Sequence, residues 1–335
     1  MRTLMWLLAG LAGLALAAVL AGLVSWQLAL DRDFEHTRAA AELPLHPAER
    51  RGLIRVRARG MEFRARIEGL DRAGPVIVLL HGFPETSIMW KPLIEQARAA
   101  GMAAIAFDQR GYSPGARPGS VEAYVVPELV KDVFSLADSL GVNRFHLVGH
   151  DWGAVVAWSA AMANNPRLAS VTALSIPHIA AFAEALGNDP EQRRRSRYMA
   201  VFRTPLLAEY LFGALNMGLL KAMHEENRGE ALDEYVRVFS EPGAMTAALN
   251  WYRASAPVAP EDDAGQFSPI IQVPALFIGG TRDQAVAPSG IREQKKYIAG
   301  PFESHLRDGG HWLMAEDTGF VVNTVIDFVS RFDSG

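Results

Sequence analysis

An α/β fold is predicted: a mostly parallel sheet covered on both faces by helices, with a helical cap inserted in its second half and a membrane-spanning helix in front. Three observations predict it. Short apolar runs alternate with helix-like stretches along much of the chain, the alternation stops between about 178 and 267, and residues 3–30 contain no charge. Alternation of this kind argues for parallel strands linked by helices, whose active residues gather at the carboxyl ends of the strands.

The N-terminal run comes first in the chain. Residues 4–24 are all apolar or glycine, with Trp6 and Trp26 near the ends; a bilayer core takes ~20 such residues in a helix, and indoles favour its interfaces. Residues 1–30 therefore read as a single-pass anchor that meets the membrane through residues 4–30. The alternative is a cleaved signal peptide, with Arg2 as its positive start and Ala15-Leu16-Ala17 as a cleavage site, leaving a secreted or periplasmic protein. The apolar stretch exceeds the usual signal core of about 7 to 15 residues, which favours the anchor. Arg2 stands alone before the run while Arg32, Arg38 and Arg50 follow it, a count that points the remaining chain towards the cytoplasm but, with acidic residues interspersed, leaves the side of the membrane undecided. Mixed charges with Pro44 and Pro47 mark residues 31–52 as a linker.

From residue 53 the strand signals begin. Stretches 53–59 and 61–67 alternate and read as an antiparallel pair. Runs 76–80, 102–107, 145–148, 171–176 and 274–278 read as buried strands, with helices over 128–140 and 154–163 between them. The core is thus assigned to 53–177 and 268–335. Residues 178–267, rich in Arg, Ala, Leu and Met at helical spacing, form the cap.

Composition bounds the function. Half of the residues are apolar and 21% are charged, which suits a folded protein, and 33 basic against 37 acidic side chains with no long basic run leave no nucleic-acid footprint. The absence of cysteine excludes disulfides and thiolate chemistry. No metal-ligand spacing occurs, and neither a metal nor an organic cofactor is expected.

The chemistry concentrates where an apolar strand runs straight into a helix, at Phe145-His146-Leu147-Val148-Gly149-His150-Asp151-Trp152-Gly153-Ala154. Asp151 sits at the turn with glycine two residues to either side, the spacing of a strained elbow that exposes its central side chain. By itself Asp151 could equally cap the helix. Together with His81-Gly82-Phe83-Pro84-Glu85 and Asp108-Gln109-Arg110-Gly111-Tyr112, however, residues 53–335 resemble the α/β-hydrolase superfamily, in its epoxide hydrolase and haloalkane dehalogenase branch. The resemblance implies an eight-stranded sheet and an aspartate nucleophile at 151.

A carboxyl with an unperturbed pKa of about 3.9 is ionised at neutral pH and needs no activating base. Its attack on an acyl ester would give a labile anhydride; attack on a saturated carbon gives an alkyl ester, so an alkyl electrophile is expected. Hydrolysis of that ester needs a base-activated water and donors for the oxyanion. The run Leu306-Arg307-Asp308-Gly309-Gly310-His311-Trp312 is similar to the family's histidine loop, which implies His311 as base. Leu276-Phe277-Ile278-Gly279-Gly280-Thr281-Arg282-Asp283 supplies Asp283 as the orienting acid, in the superfamily order of nucleophile, acid, histidine. The backbone N–H groups of Phe83 and Trp152 are the implied oxyanion hole, and Phe83-Pro84 fits a cis turn.

Epoxide and halide substrates differ in the leaving atom, since an epoxide oxygen needs a proton donor. A phenol of pKa near 10 can provide one. The segments around Tyr252, in Leu249-Asn250-Trp251-Tyr252-Arg253, and Tyr198, in Tyr198-Met199-Ala200-Val201-Phe202, are similar to those carrying the two cap tyrosines of epoxide hydrolases. Phe83 stands where many dehalogenases carry Asn or Glu. The resemblance thus implies hydrolysis of a small apolar epoxide to a vicinal diol. The alternatives are a haloalkane dehalogenase or other hydrolase using the same triad, and a non-catalytic membrane-tethered binding protein.

Overall fold

The computed structural model describes residues 35–224, 229–255 and 268–333, together with 13, 17 and 19–22. Eight strands, β1 (Gly52–Ala58), β2 (Met61–Glu68), β3 (Val76–Leu80), β4 (Ala103–Phe107), β5 (Phe145–His150), β6 (Leu168–Leu174), β7 (Ala275–Gly280) and β8 (Phe302–Arg307), form one sheet in the order β1-β2-β4-β3-β5-β6-β7-β8. β2 runs antiparallel to both β1 and β4, and the pairings from β4 to β8 are parallel. Strands β4 to β7 are buried along their whole length, which is why they read as unbroken apolar runs: parallel strands covered on both faces have no polar side to alternate with. β8, with the sequence Phe-Glu-Ser-His-Leu-Arg, lies at the sheet edge and is half exposed; only every second residue is less polar, so it left no such run.

Helices cover both faces. α1 (Glu35–Glu42) precedes the sheet, and α2 (Lys91–Ala99) lies against β4. α3 (Val126–Ser139) and α4 (Trp152–Met162) pack side by side, α4 on β3, β5 and β6. From Trp152 to Ala161 only Val155 of α4 escapes full burial, the pattern of a helix enclosed on all sides.

Between β6 and β7 the described residues hold no strand. They form α5 (Ile179–Asn188), α6 (Pro190–Arg195), α7 (Tyr198–Arg203), α8 (Leu207–Met223), α9 (Glu230–Phe239) and α10 (Ala244–Ala254). α8 is broken at Ala214, Leu215, Asn216 and Met217, whose backbone angles are not helical. Buried charges fasten this insertion to the core. Arg64 of β2 lies between Asp108 Oδ2 at 2.5 Å and Glu234 Oε1 of α9 at 2.9 Å, all three nearly sealed from solvent. Leaving one member of such a set uncompensated costs about 3–5 kcal/mol. The Trp251 indole of α10 donates to the Arg110 carbonyl at 2.8 Å. Asp108 and Arg110, read from the sequence as a motif after β4, therefore work partly as the seat of the insertion.

The linker is attached more closely than its composition suggests. Arg55 donates to the carbonyls of Leu43 and Pro44, and His46 N–H returns a bond to Arg55, so the chain pairs along β1 before β1 begins its own hairpin. The expected span over residues 4–30 lies outside the described residues except at 13, 17 and 19–22. Among the described residues no helix is long and apolar enough to cross a membrane.

Candidate active site

Asp151 links β5 to α4 with φ 49° and ψ −118°, a conformation open almost only to glycine. Its neighbours explain how the turn closes. A Cβ on Gly149 would lie 2.1 Å from the Gly153 carbonyl oxygen, and one on Gly153 would lie 2.1 Å from that of Leu80. Both are backbone overlaps that no rotamer could relieve. The glycines at minus two and plus two let strand, turn and helix close up, and the buried carboxylate is left at the first turn of α4, where the helix dipole favours negative charge.

Two further loops converge on this carboxylate. His311, four residues beyond β8, places Nε2 3.5 Å from Asp151 Oδ2 and Nδ1 2.8 Å from Asp283 Oδ2. Asp283, three residues beyond β7, is held in turn by the N–H groups of Ala285 and Val286 on Oδ1 at 2.7 and 3.2 Å. Burial opposes the imidazolium, but the Asp283 and Asp151 carboxylates outweigh it and raise the His311 pKa well above the usual histidine value. Burial likewise opposes charge on Asp151, and the His311 hydrogen bond and charge overcome it, keeping the carboxyl below its usual range. His311 thus stands between two carboxylates that both favour its protonated form.

Phe83 N–H donates to Asp151 Oδ1 at 2.9 Å, and the Phe83-Pro84 bond is cis. Trp152, the other expected donor, opens α4 directly after Asp151. Its ring meets Tyr252 edge-on at 5.1 Å, Tyr252 meets Phe83 at 5.4 Å, and the rings of Tyr198 and Tyr252 lie 6.3 Å apart. Burial first, and the nearby Asp151 charge second, raise both phenol pKa values well above the ordinary one, so both stay protonated. A cavity of about 890 Å³ opens here, lined by Phe83, Tyr198, Phe202, Leu219, Met223 and His311 among others. The structure therefore brings together all seven residues singled out in the sequence.

It also places residues there that sequence reasoning passed over. Glu85 and His150 form a buried pair, Oε2 to Nδ1, at 2.7 Å, and His150 Nε2 lies 3.0 Å from the His311 carbonyl, which also accepts from Ser175 Oγ at 2.6 Å. This pair fixes the backbone of the histidine loop. Tyr112 is fully buried beside the site, with its hydroxyl lacking a hydrogen-bond partner among the described residues and its pKa raised by burial and then by Asp151. Both Glu85 and Tyr112 stand inside the quoted motifs; position within the motif was the available signal, but only three-dimensional contact separates a site neighbour from a spacer. Among the described residues no group of three or more His, Cys, Asp or Glu side chains could hold a metal ion.

A sheet of this order, an elbow at the end of β5 and a histidine after β8 paired with an acid after β7 define an α/β hydrolase, here with a carboxylate at the elbow. Residues 75–318 match the alpha/beta hydrolase fold family, to which the chain belongs. Within it the chain is epoxide hydrolase-like. It is 32% identical over 308 residues to epoxide hydrolase A of Mycobacterium tuberculosis, a match spanning 80% of this chain and 94% of that protein. Epoxide hydrolase 3 of Xenopus tropicalis is 29% identical over 84% of this chain and 78% of its own. Among solved structures, an epoxide hydrolase from metagenomes of hot environments superposes with a TM-score of 0.71 at 31% identity, covering 84% of this chain and 99% of the other. Epoxide hydrolase A from Mycobacterium thermoresistibile gives 0.66 at 27% identity, covering 83% and 98%.

Proposed function

We propose that this protein hydrolyses epoxides to vicinal diols through an ester on Asp151. The observation that carries the reading is a buried carboxylate on a strained turn with one oxygen against the Phe83 N–H and the other facing His311. Such a group is ionised without a base, and its partners suit the two steps that an alkyl ester requires. The relatives named above support the choice of epoxide.

The two carboxylate oxygens are not equivalent. Oδ2 attacks a ring carbon while Tyr252 and Tyr198 hold the ring oxygen; one phenol gives it a proton as the carbon–oxygen bond breaks. Oδ1, already on the Phe83 N–H, becomes the ester carbonyl. Esterification removes the Asp151 charge, and with it one of the two carboxylates that raise the His311 pKa. His311 then releases its proton to the solvent, which returns one to the phenolate left by the first step, and the neutral imidazole, oriented by Asp283, takes a proton from water. The resulting hydroxide adds to the ester carbon, the oxyanion on Oδ1 is held by the Phe83 and Trp152 N–H groups, and the diol leaves as the carboxylate re-forms. The helices between β6 and β7 carry both tyrosines, and Tyr198, Phe202 and Met223 from them line the cavity together with Phe83 and His311 of the core.

Repeated turnover of an aryl or alkyl epoxide in heavy-oxygen water tests this, with mass analysis of the peptide bearing Asp151. Label entering the Asp151 carboxyl, and diol lost in Asp151→Ala, are expected. Diol formation by the alanine variant, or hydrolysis confined to carboxylic esters, would overturn the reading; release of halide from haloalkanes in place of diol would move it to dehalogenation.

A further inference from the structure

Six of the ten exposed large apolar side chains among the described residues fall in one stretch of the insertion, 206–219. Leu206 and Leu215 are the most exposed, at 74% and 90%, and Leu207, Tyr210, Leu211 and Leu219 accompany them. The only charged residue between 204 and 220 is Glu209, and it turns inward, buried and paired with Arg253 at 2.8 Å. Leu206 and Leu215 both have positive φ, 67° and 53°, a conformation that bulky residues rarely adopt. The backbone thus takes an unfavourable shape to present leucine to the outside. An uncharged apolar face of this extent is disfavoured on a surface that meets only water.

The occupant is indicated by what adjoins the face. Gly22, within the uncharged run 3–30, lies against Tyr210: a Cβ placed on it would be 2.6 Å from the ring. Val19 and Leu20 are themselves exposed at 55% and 52%. The described residues 19–22 of the most hydrophobic run of the chain therefore adjoin this patch. Leu219 belongs to the patch and to the wall of the active-site cavity at once, so the face continues to the mouth of the site.

We infer that residues 206–219 lie in the interface of a lipid bilayer, the same bilayer that the N-terminal run enters, and that lipophilic substrate passes from the lipid into the cavity past Leu219. The docking stands on the exposed face and on the apolar residues 19–22 that adjoin it; the delivery of an epoxide rests on the function proposed above. A surface helix with an apolar face seats itself among lipid headgroups in this way, held by the apolar area it buries.

The absence of cysteine makes a clean test possible. Full-length Leu215→Cys, carrying an environment-sensitive fluorophore, is reconstituted into phosphatidylcholine–phosphatidylglycerol vesicles with and without acyl-chain spin-labelled lipid. Lys131→Cys on α3, where the native side chain is 61% exposed, is the control. The label at 215 should shift to the blue and be quenched by the spin-labelled lipid, and the label at 131 should do neither. Equal behaviour of the two labels would overturn the proposal. So would a blue shift at 215 without lipid quenching: one that grows with protein concentration means a second copy covers the face, and one that does not means the chain's own N-terminal run covers it. For delivery, Leu206→Ser with Leu215→Ser should slow turnover of a long-chain epoxide dissolved in the vesicles roughly tenfold or more and leave a short water-soluble epoxide unaffected. Equal rates of the variant and the native chain on the vesicle substrate would refute delivery. Failure of the native chain on both substrates would refute the epoxide reading, with the fluorescence still deciding the docking.

Discussion

At most positions glycine destabilises a protein relative to alanine; at position 151 the order should reverse. Asp151 has φ 49° and ψ −118°, and holding a residue with a Cβ in such a region costs about 1–3 kcal/mol. The crowding is visible from the other side as well, since a Cβ on Gly82 would fall 2.4 Å from the Cβ of Asp151. Asp151→Ala and Asp151→Gly lose the same bond from Phe83 N–H and the same contact with His311, so those losses cancel between them. Only alanine keeps the Cβ and the strain. Glycine gives back about 0.5–1 kcal/mol through the greater freedom of its unfolded chain. The difference leaves Asp151→Gly more stable than Asp151→Ala by about 0–2.5 kcal/mol, about 1 kcal/mol at mid-range. Denaturant unfolding of the two full-length variants at neutral pH, in one detergent, measures it, and neither variant should form diol. An alanine variant more stable than the glycine variant, by the about 0.5–1 kcal/mol seen at ordinary positions, would refute the claim that the elbow stores backbone strain.

Three other outcomes are expected. Tyr252→Phe with Tyr198→Phe removes both proton donors and should slow formation of the alkyl ester by about 10²–10⁴, typical of a lost general acid, with the rate of ester hydrolysis unchanged in a single-turnover experiment. Asp151→Asn takes away a carboxylate that raises the His311 pKa, so the imidazole should titrate at lower pH by NMR than in the native chain. The sign for stability follows: a raised histidine pKa stabilises below the unfolded value of about 6.5 and that gain is lost as pH climbs through the folded value, a loss that Asp151→Asn should bring to lower pH. Glu85→Ala leaves the buried His150 Nδ1 without its 2.7 Å partner, which should destabilise the fold by about 1–3 kcal/mol and reduce kcat by loosening the His311 loop, with Glu85→Gln recovering part of both.

How much of this was legible in the sequence depended on whether one residue's neighbours along the chain are also its neighbours in space. Strands β3 to β7 were readable because burial on both faces leaves an unbroken apolar run. β8 was not, because an edge strand keeps Glu303, His305 and Arg307 among its residues. The elbow was readable because Gly149, Asp151 and Gly153 act within one turn. The histidine loop and its acid were placed by their resemblance to the family and by chain order; nothing in their own spacing shows that His311 ends 2.8 Å from Asp283. The Glu85–His150 pair spans 65 residues and joins two motifs that each made sense alone, so neither advertised the other. The same holds for Arg64, whose two carboxylate partners come from the loop after β4 and from α9. The outward leucines at 206 and 215 were illegible for a different reason: their stretch has helical composition, and only the backbone angles reveal that the helix is entered and broken with leucine turned out.

These pieces account for one another through charge. A carboxylate nucleophile must be anionic to attack, yet a histidine beside it can serve as a base only when neutral, and two carboxylates at 2.8 and 3.5 Å favour protonated His311 in the free site. The conflict resolves if the two demands fall at different times. Attack uses the anion and so leaves Asp283 as the sole carboxylate against the imidazole, lowering its pKa at the step that needs a base; ester hydrolysis restores the Asp151 anion and raises it again. On this account Asp283→Asn should act on the second step more than the first, because the lone remaining orienting charge is lost when the ester already exists. Alkyl-enzyme should then accumulate at a near-normal rate and decay slowly. A variant that instead failed to form the ester, while decaying normally any ester formed, would place the role of Asp283 in assembling the nucleophile and not in timing the base.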